Sequence, residues 1–295
     1  MRSDKVVVLT HSMGGLVTRA ALHNQYGDAE DKMLGVGHGV MPANGAGAAY
    51  HHVRAGYSGL SRFVLGRNAA QITAIFANAP GPLELLPNHQ YGNGWLQAKG
   101  VDGEAVLALP ESDPYAEIYY EKDRWWRLVD EQLVDPAGST QNAKIPISPR
   151  ESYLSNLLIA NDFHVTLRTG YHAETYSHYG ADPGLRSYQN VVWKSDDAIK
   201  ADAAGLLAAL PRPGESNPVS VRVGGREFEF EIAAPAEPGD DTVPHNSGAG
   251  PELAGGYRQS FKLTQMSEAH AGFYDDEGAR QVSLYAIGKI LKRIS

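Results

Sequence analysis

The sequence predicts an α/β fold, a largely parallel sheet whose strands alternate with helices and whose path is interrupted by insertions. Three observations carry this. Val6-Val7-Val8-Leu9 is an apolar run without alternation, as expected of a strand buried on both faces of a parallel sheet. A His-Ser-Met-Gly-Gly corner follows, and Leu16, Val17 and Ala20 then recur at helical spacing, so the unit reads strand, sharp turn, helix. Further short apolar strands recur downstream between helical or polar stretches.

The remaining elements follow in order. Tyr26 to Asp31 is a polar loop, and Lys32 to Pro42 reads as a second core strand opening into the small-residue loop "ANGAGAAY". A helix is expected from about Leu60 to Asn78, ahead of "APGPLELLPN". From Tyr91 to about Arg150 aromatics, prolines and charges dominate. Within this stretch Tyr115, Ile118, Tyr119, Trp125, Trp126, Val129 and Leu133 fall near one helical face. "TYSHYG", Thr175 to Gly180, reads as a third core strand. Val219 to Ile232 alternates around Gly224-Gly225, the pattern of a two-residue hairpin. "YRQSFKL" is a last strand, and Gln281 to Arg293 an amphipathic closing helix. The implied organisation is core over 1–90, a lid-like insertion over 91–170, and core again over 171–295 with a hairpin insertion at about 215–235.

Composition narrows the function classes. At 295 residues the chain can bury a large core, and 42% hydrophobic with 20% charged residues is ordinary for a globular protein. A net charge of −8 with no Lys/Arg tract argues against nucleic acid as a partner. No apolar run reaches the ~18 residues of a membrane span, and "MRSDKVVV" holds no apolar signal core. The absence of cysteine excludes disulfides and thiolate metal sites. No His or carboxylate spacing points to a metal, so no cofactor is expected. Localisation stays open.

The corner at Ser12 carries the chemistry. A serine in such a turn is held strained, with its hydroxyl above the sheet edge, and Gly14 and Gly15 provide clearance for the helix that follows. The helix start places free N–H groups and partial positive charge beside Ser12, which suits a nucleophile whose reaction develops an oxyanion. The pattern is a Gly-x-Ser-x-Gly nucleophile elbow with Thr10 at the first glycine. A turn opening a nucleotide-binding unit is the competing reading, but no phosphate loop or following acidic residue accompanies it.

A serine hydroxyl needs a base, and the base an orienting acid. In elbow hydrolases the acid and then the histidine follow the serine along the chain. His270, in "MSEAHAGFYDDEGAR", lies between the last strand and the closing helix. His38, His51, His52, His89, His164, His172 and His178 precede the acid or fall in insertions, and His11 reads as packing or rim. The acid is sought in "EPGDDTVPHNS". There Asp240 follows Gly239 directly, Asp241 is its neighbour and rival, and a solvated turn is the bland alternative. Asp182 in "YGADPG" is a third candidate in a context closer to an ordinary turn.

Together "THSMGG", "GDDTVP" and "HAGFYDD" resemble the ordered motifs of α/β-hydrolase lipases, near the lecithin–cholesterol acyltransferase-like and GPI inositol-deacylase-like branches. "PGPLELLP" is similar to a Leu-Leu-Pro segment of the acyltransferase-like group. "HGVMPANGAGAAYHHVRAG" with "WWRLV" resembles bacterial lipase effectors delivered by type VI secretion machinery. The resemblance implies that Ser12 attacks an ester carbonyl, that His270 is base and then acid, and that Asp240 holds the imidazole tautomer. It also implies that the Met13 N–H is an oxyanion donor. The substrate would be a phospholipid or other acyl ester, met in transient contact with a membrane surface, and the partner an immunity or delivery protein. Trp125 and Trp126, with Leu85 and Leu86, would form an acyl-binding wall or lid, or simply the core of the insertion. Acyl transfer to another alcohol is a close variant, and peptidase chemistry has little support. A non-catalytic interaction module retaining the motifs is the alternative from a different class.

In that fold the nucleophile follows the fifth strand, whereas here eleven residues precede Ser12. The expectation is therefore the C-terminal portion of a longer lipase. It would lack the strand beside Val6–Leu9, leaving an apolar edge, and the loop holding the second oxyanion donor, worth about 10²–10³ in turnover.

Overall fold

A computed structural model describes residues 4–57, 68–138, 147–212 and 214–293, and its chain divides into two units. The first comprises 1–46, 163–189 and 235–295, the second 47–162 and 190–234. The boundary thus falls after Ala46 rather than near residue 90. Residues 190–234, including the hairpin, go with the second unit rather than with the segment expected to begin at 171.

Elements are numbered along the chain. The first unit holds β1 (Val6–His11), β2 (Met33–Gly39), β5 (Thr175–Gly180) and β11 (Gln259–Leu263) in a sheet of order β1-β2-β5-β11, every neighbour parallel. These are the four strands anticipated for the core. β5 is buried at every position, and several of its polar side chains are bonded. Thr175 donates to His172 O at 2.7 Å, Ser177 pairs with Ser260 at 2.9 Å, and His178 Nδ1 lies 3.0 Å from His38 O.

β1 lies at the end of the sheet, where the sequence predicts an apolar edge, and Val6 and Leu9 are 55% and 42% exposed, so the strand is not buried on both faces as its unalternating run suggests.

Helix α1 (Gly14–Leu22) buries Leu16 and leaves Val17 exposed. The short α7 (His245–Gly248) and α8 (Gly250–Leu253) precede β11. The closing helix α9 (Glu277–Leu291) starts a turn earlier than its apolar pattern suggests, because Asp276 caps it by accepting from Ala279 N at 2.9 Å. Its Ala286 and Ile290 pack on Tyr176 with Val7 and Leu34. A two-stranded piece, β6 (Asp182–Ser187) against β10 (Glu237–Gly239), completes this unit.

The second unit carries a sheet of order β4-β3-β7-β9-β8, made of β3 (Leu96–Lys99), β4 (Ala105–Leu109), β7 (Val191–Lys194), β8 (Val219–Val223) and β9 (Arg226–Ile232). Gly224 and Gly225 turn the hairpin with φ of 56° and 84°, the left-handed pair that a tight two-residue loop requires. Its helices are α2 (Gly47–Ala55), α3 (Ala69–Phe76), α4 (Pro80–Leu83) and α6 (Ala203–Ala208), and α5 (Pro149–Thr166) carries the chain back to the first unit. Of the helix expected over 60–78, residues 60–67 lie outside the described residues.

The aromatic stripe is not one helix. Tyr115–Tyr119 form a single π-turn, Glu131–Leu133 a 3₁₀ turn, and the tryptophans lie between them. Its members still converge. Trp125 is fully buried, stacks on Phe230 at 4.5 Å between ring centres, meets Trp193 edge-on, and donates its N–H to Leu206 O at 2.9 Å. Trp126 and Leu86 are buried as well, and Leu85 is half-buried. Trp125 and Trp126 thus pack in the core of this unit. Trp125→Ala is expected to destabilise the protein by about 3–5 kcal/mol, read by urea unfolding. An unchanged midpoint with a raised KM for esters would instead favour the wall.

Candidate active site

β1 passes into α1 through Ser12, whose φ is 53°. A residue with a side chain is strained there by about 1–3 kcal/mol. The corner is held by Ser12 N–H donating to Gly39 O at 2.9 Å and Gly15 N–H to Ser12 O at 2.9 Å. A Cβ on Gly15 would overlap the Met41 side chain, so the close passage demands glycine at that position. At Gly14 the nearest atom would be Thr10 Cβ at 3.9 Å, and no such demand exists. Thr10 replaces the usual glycine without conflict because its side chain is buried, with Oγ1 2.9 Å from His38 Nδ1.

His270 opens a 3₁₀ turn, His270–Asp275, between β11 and α9. Its Nε2 is 2.8 Å from Ser12 Oγ and its Nδ1 2.9 Å from Asp240 Oδ2. Asp240, 1% exposed, sits just after β10. Its Oδ1 accepts from Thr242 N at 3.0 Å and Val243 N at 2.7 Å, and its backbone oxygen from His270 N at 2.8 Å. A carboxylate can only accept, so Nδ1 carries the proton and the Nε2 lone pair faces the serine hydroxyl. Three side chains far apart in sequence thus form one hydrogen-bonded line, with the Met13 N–H at the start of α1 among the donors that no helical carbonyl reaches.

The two alternative acids stand apart from this line. Asp241 has φ 81°, and its exposed carboxylate accepts from the Thr242 hydroxyl at 2.8 Å. Asp182 accepts from Met266 N at 2.8 Å and Gly184 N at 2.7 Å, fastening the loop that leads to His270.

Behind the line lies a buried pair of imidazoles. Burial, then the charges of Arg19 and His178, pushes His38 down to about 3. Burial likewise lowers His178 to about 4. Both are neutral near pH 7. Arg19, itself buried, donates to Gly170 O at 2.9 Å and to Leu167 O, and lies over the Tyr171 ring at 3.9 Å. Both histidines lie on segments that the sequence reads as core strands, and their burial follows from the central places of β2 and β5 in the sheet.

His11, which the sequence reads as packing or rim, meets the base residue itself: its Nε2 is 2.7 Å from the backbone oxygen of His270. Adjacency to Ser12 is the only sequence feature that singles it out.

Asp240 also depends on a glycine. A Cβ on Gly180 would lie 2.7 Å from Asp240 Cβ and 2.8 Å from Gly239 O, and backbone cannot yield as a flexible side chain can. Gly180→Ala is expected to lower kcat/KM by about 10–100-fold through displacement of the acid. Wild-type turnover in a folded G180A variant would argue against Asp240 as the orienting group.

Among the described residues, no cluster of three or more His, Asp or Glu could hold a metal, and no helix is long and apolar enough to cross a membrane.

No protein-family model matches the chain, and no curated protein matches it. Among solved structures, a chain in the crystal structure of a Tle4–Tli4 complex is similar, with 34% sequence identity and a TM-score of 0.79. The match covers 98% of the present chain and 60% of that chain, so the present chain spans about three fifths of the solved one.

Proposed function

We propose that the chain is a serine hydrolase for carboxylic esters, of lipase or phospholipase type, on an α/β-hydrolase core. The observation that carries this is the unbroken line Ser12 Oγ, His270 Nε2, His270 Nδ1, Asp240 Oδ2, with links of 2.8 and 2.9 Å. His270 takes the Ser12 proton as Oγ attacks the ester carbonyl, and the oxyanion forms against the Met13 N–H. His270 then hands that proton to the departing alcohol, leaving an acyl-serine. A water gives its proton to His270, attacks the acyl group, and the carboxylic acid leaves as Ser12 regains its hydrogen. Asp240 keeps Nδ1–H directed and stabilises the imidazolium in both halves.

Membership among lipase effectors of type VI secretion, with a dedicated immunity protein as partner, is the finer reading. It rests on the sequence resemblance and on the similarity to a chain solved in a Tle4–Tli4 complex. The test is a series of p-nitrophenyl esters and phospholipid vesicles, with a fluorophosphonate probe. Turnover and labelling that vanish in Ser12→Ala support the reading. A well-folded chain that neither labels nor cleaves favours an interaction module.

A further inference from the structure

We propose that His11 is a positioning residue for His270, an inference that rests on the serine-hydrolase reading. The backbone oxygen of His270 can only accept, so the contact at 2.7 Å requires a hydrogen on His11 Nε2. His270 is thereby gripped at both of its backbone polar groups. Its N–H donates to Asp240 O at 2.8 Å, and its C=O accepts from His11. One further bond ties the same turn to the same strand, from the Tyr274 hydroxyl to Thr10 O at 2.7 Å.

The arrangement links distance control to covalent structure. Ser12 and His270 are separated by 258 residues, yet through His11 they are joined by one peptide bond and one hydrogen bond. A displacement of the corner at Ser12 therefore carries its base with it, and the 2.8 Å proton-transfer distance survives. Asp240 fixes the imidazole from the opposite side, through the ring and the backbone N–H together. The His11 ring stands 5.0 Å from the His270 ring.

Two substitutions separate bracing from packing. In His11→Leu the donor is gone, whereas in His11→Gln the amide nitrogen sits as many bonds from Cβ as Nε2 does. His11→Leu is expected to lose about 10–100-fold in kcat with KM changed less than about twofold, and His11→Gln to recover most of the loss. The rate of Ser12 phosphonylation by a fluorophosphonate should fall and recover in parallel. Wild-type rates in H11L, or equal impairment of H11L and H11Q at equal melting temperature, would overturn the proposal. Because the probe reads the Ser12–His270 unit whatever the natural substrate, labelling without ester cleavage sinks the ester reading and leaves this one to the labelling rates. If wild type does not label, the downfield imidazole proton of His270 decides. It should be sharp in wild type and H11Q and broadened in H11L, and identical signals in all three would overturn the brace.

Discussion

Ser12→Ala is expected to cut ester turnover by about 10⁴–10⁶-fold while leaving the fold intact, since the residues of such a triad act as a unit. Asp240→Asn should cost about 10⁴-fold by a different route, because an amide can donate to Nδ1 and so invites the wrong tautomer without moving the ring. Removing His270 as well as Ser12 should add almost nothing to the loss from Ser12 alone. The hydrogen-bonded line is the reason, as His270 is bonded to Ser12 on one side and to Asp240 on the other and the chain fails at either missing link. Ser12→Gly supplies an internal control. With φ at 53°, glycine relieves strain that serine and alanine both carry, so S12G should be inactive yet melt above S12A. Additive losses in the double variant, or S12A turning over like wild type, would refute the triad.

Acid should unfold the protein over a defined window. His38 and His178 are held neutral in the fold, at about 3 and about 4 against 6.5 for a free imidazole. Below pH 6.5 the unfolded chain takes up protons that the folded chain refuses, so stability falls with pH until the folded-state values are reached. At pH 4 each site taken alone disfavours the fold by roughly 3 kcal/mol. His51 and His52, lowered to about 4 by burial in the second unit, act in the same direction. Urea midpoints between pH 7 and 4 check this, with the m-value held constant. Replacing His178 by glutamine should flatten the slope by about one proton's worth, and an unchanged slope would mean that His178 is not buried as described.

Much of the site was legible along the chain. The positive φ at Ser12 is a consequence of a strand turning at once into a helix, and that turn is written in consecutive residues. The same holds for the Gly224-Gly225 hairpin, where local backbone chemistry leaves few choices. Ser12, Asp240 and His270 could be placed in order because each occupies a loop following a strand. The aromatic stretch was legible only as apolar. Helical spacing proposed one face, whereas Trp125 finds its partners in Trp193 and Phe230, 68 and 105 positions further on.

Local sequence, then, determined the elements and the chemistry available at their ends, because backbone propensity and side-chain reactivity act over a few residues. Tertiary structure alone decided that Asp240 rather than Asp241 faces the imidazole. It also decided that His11 holds the His270 backbone and that the tryptophans lie inside the second unit. These are outcomes of pairing and packing between segments tens to hundreds of residues apart. No window of sequence contains both partners of such a contact.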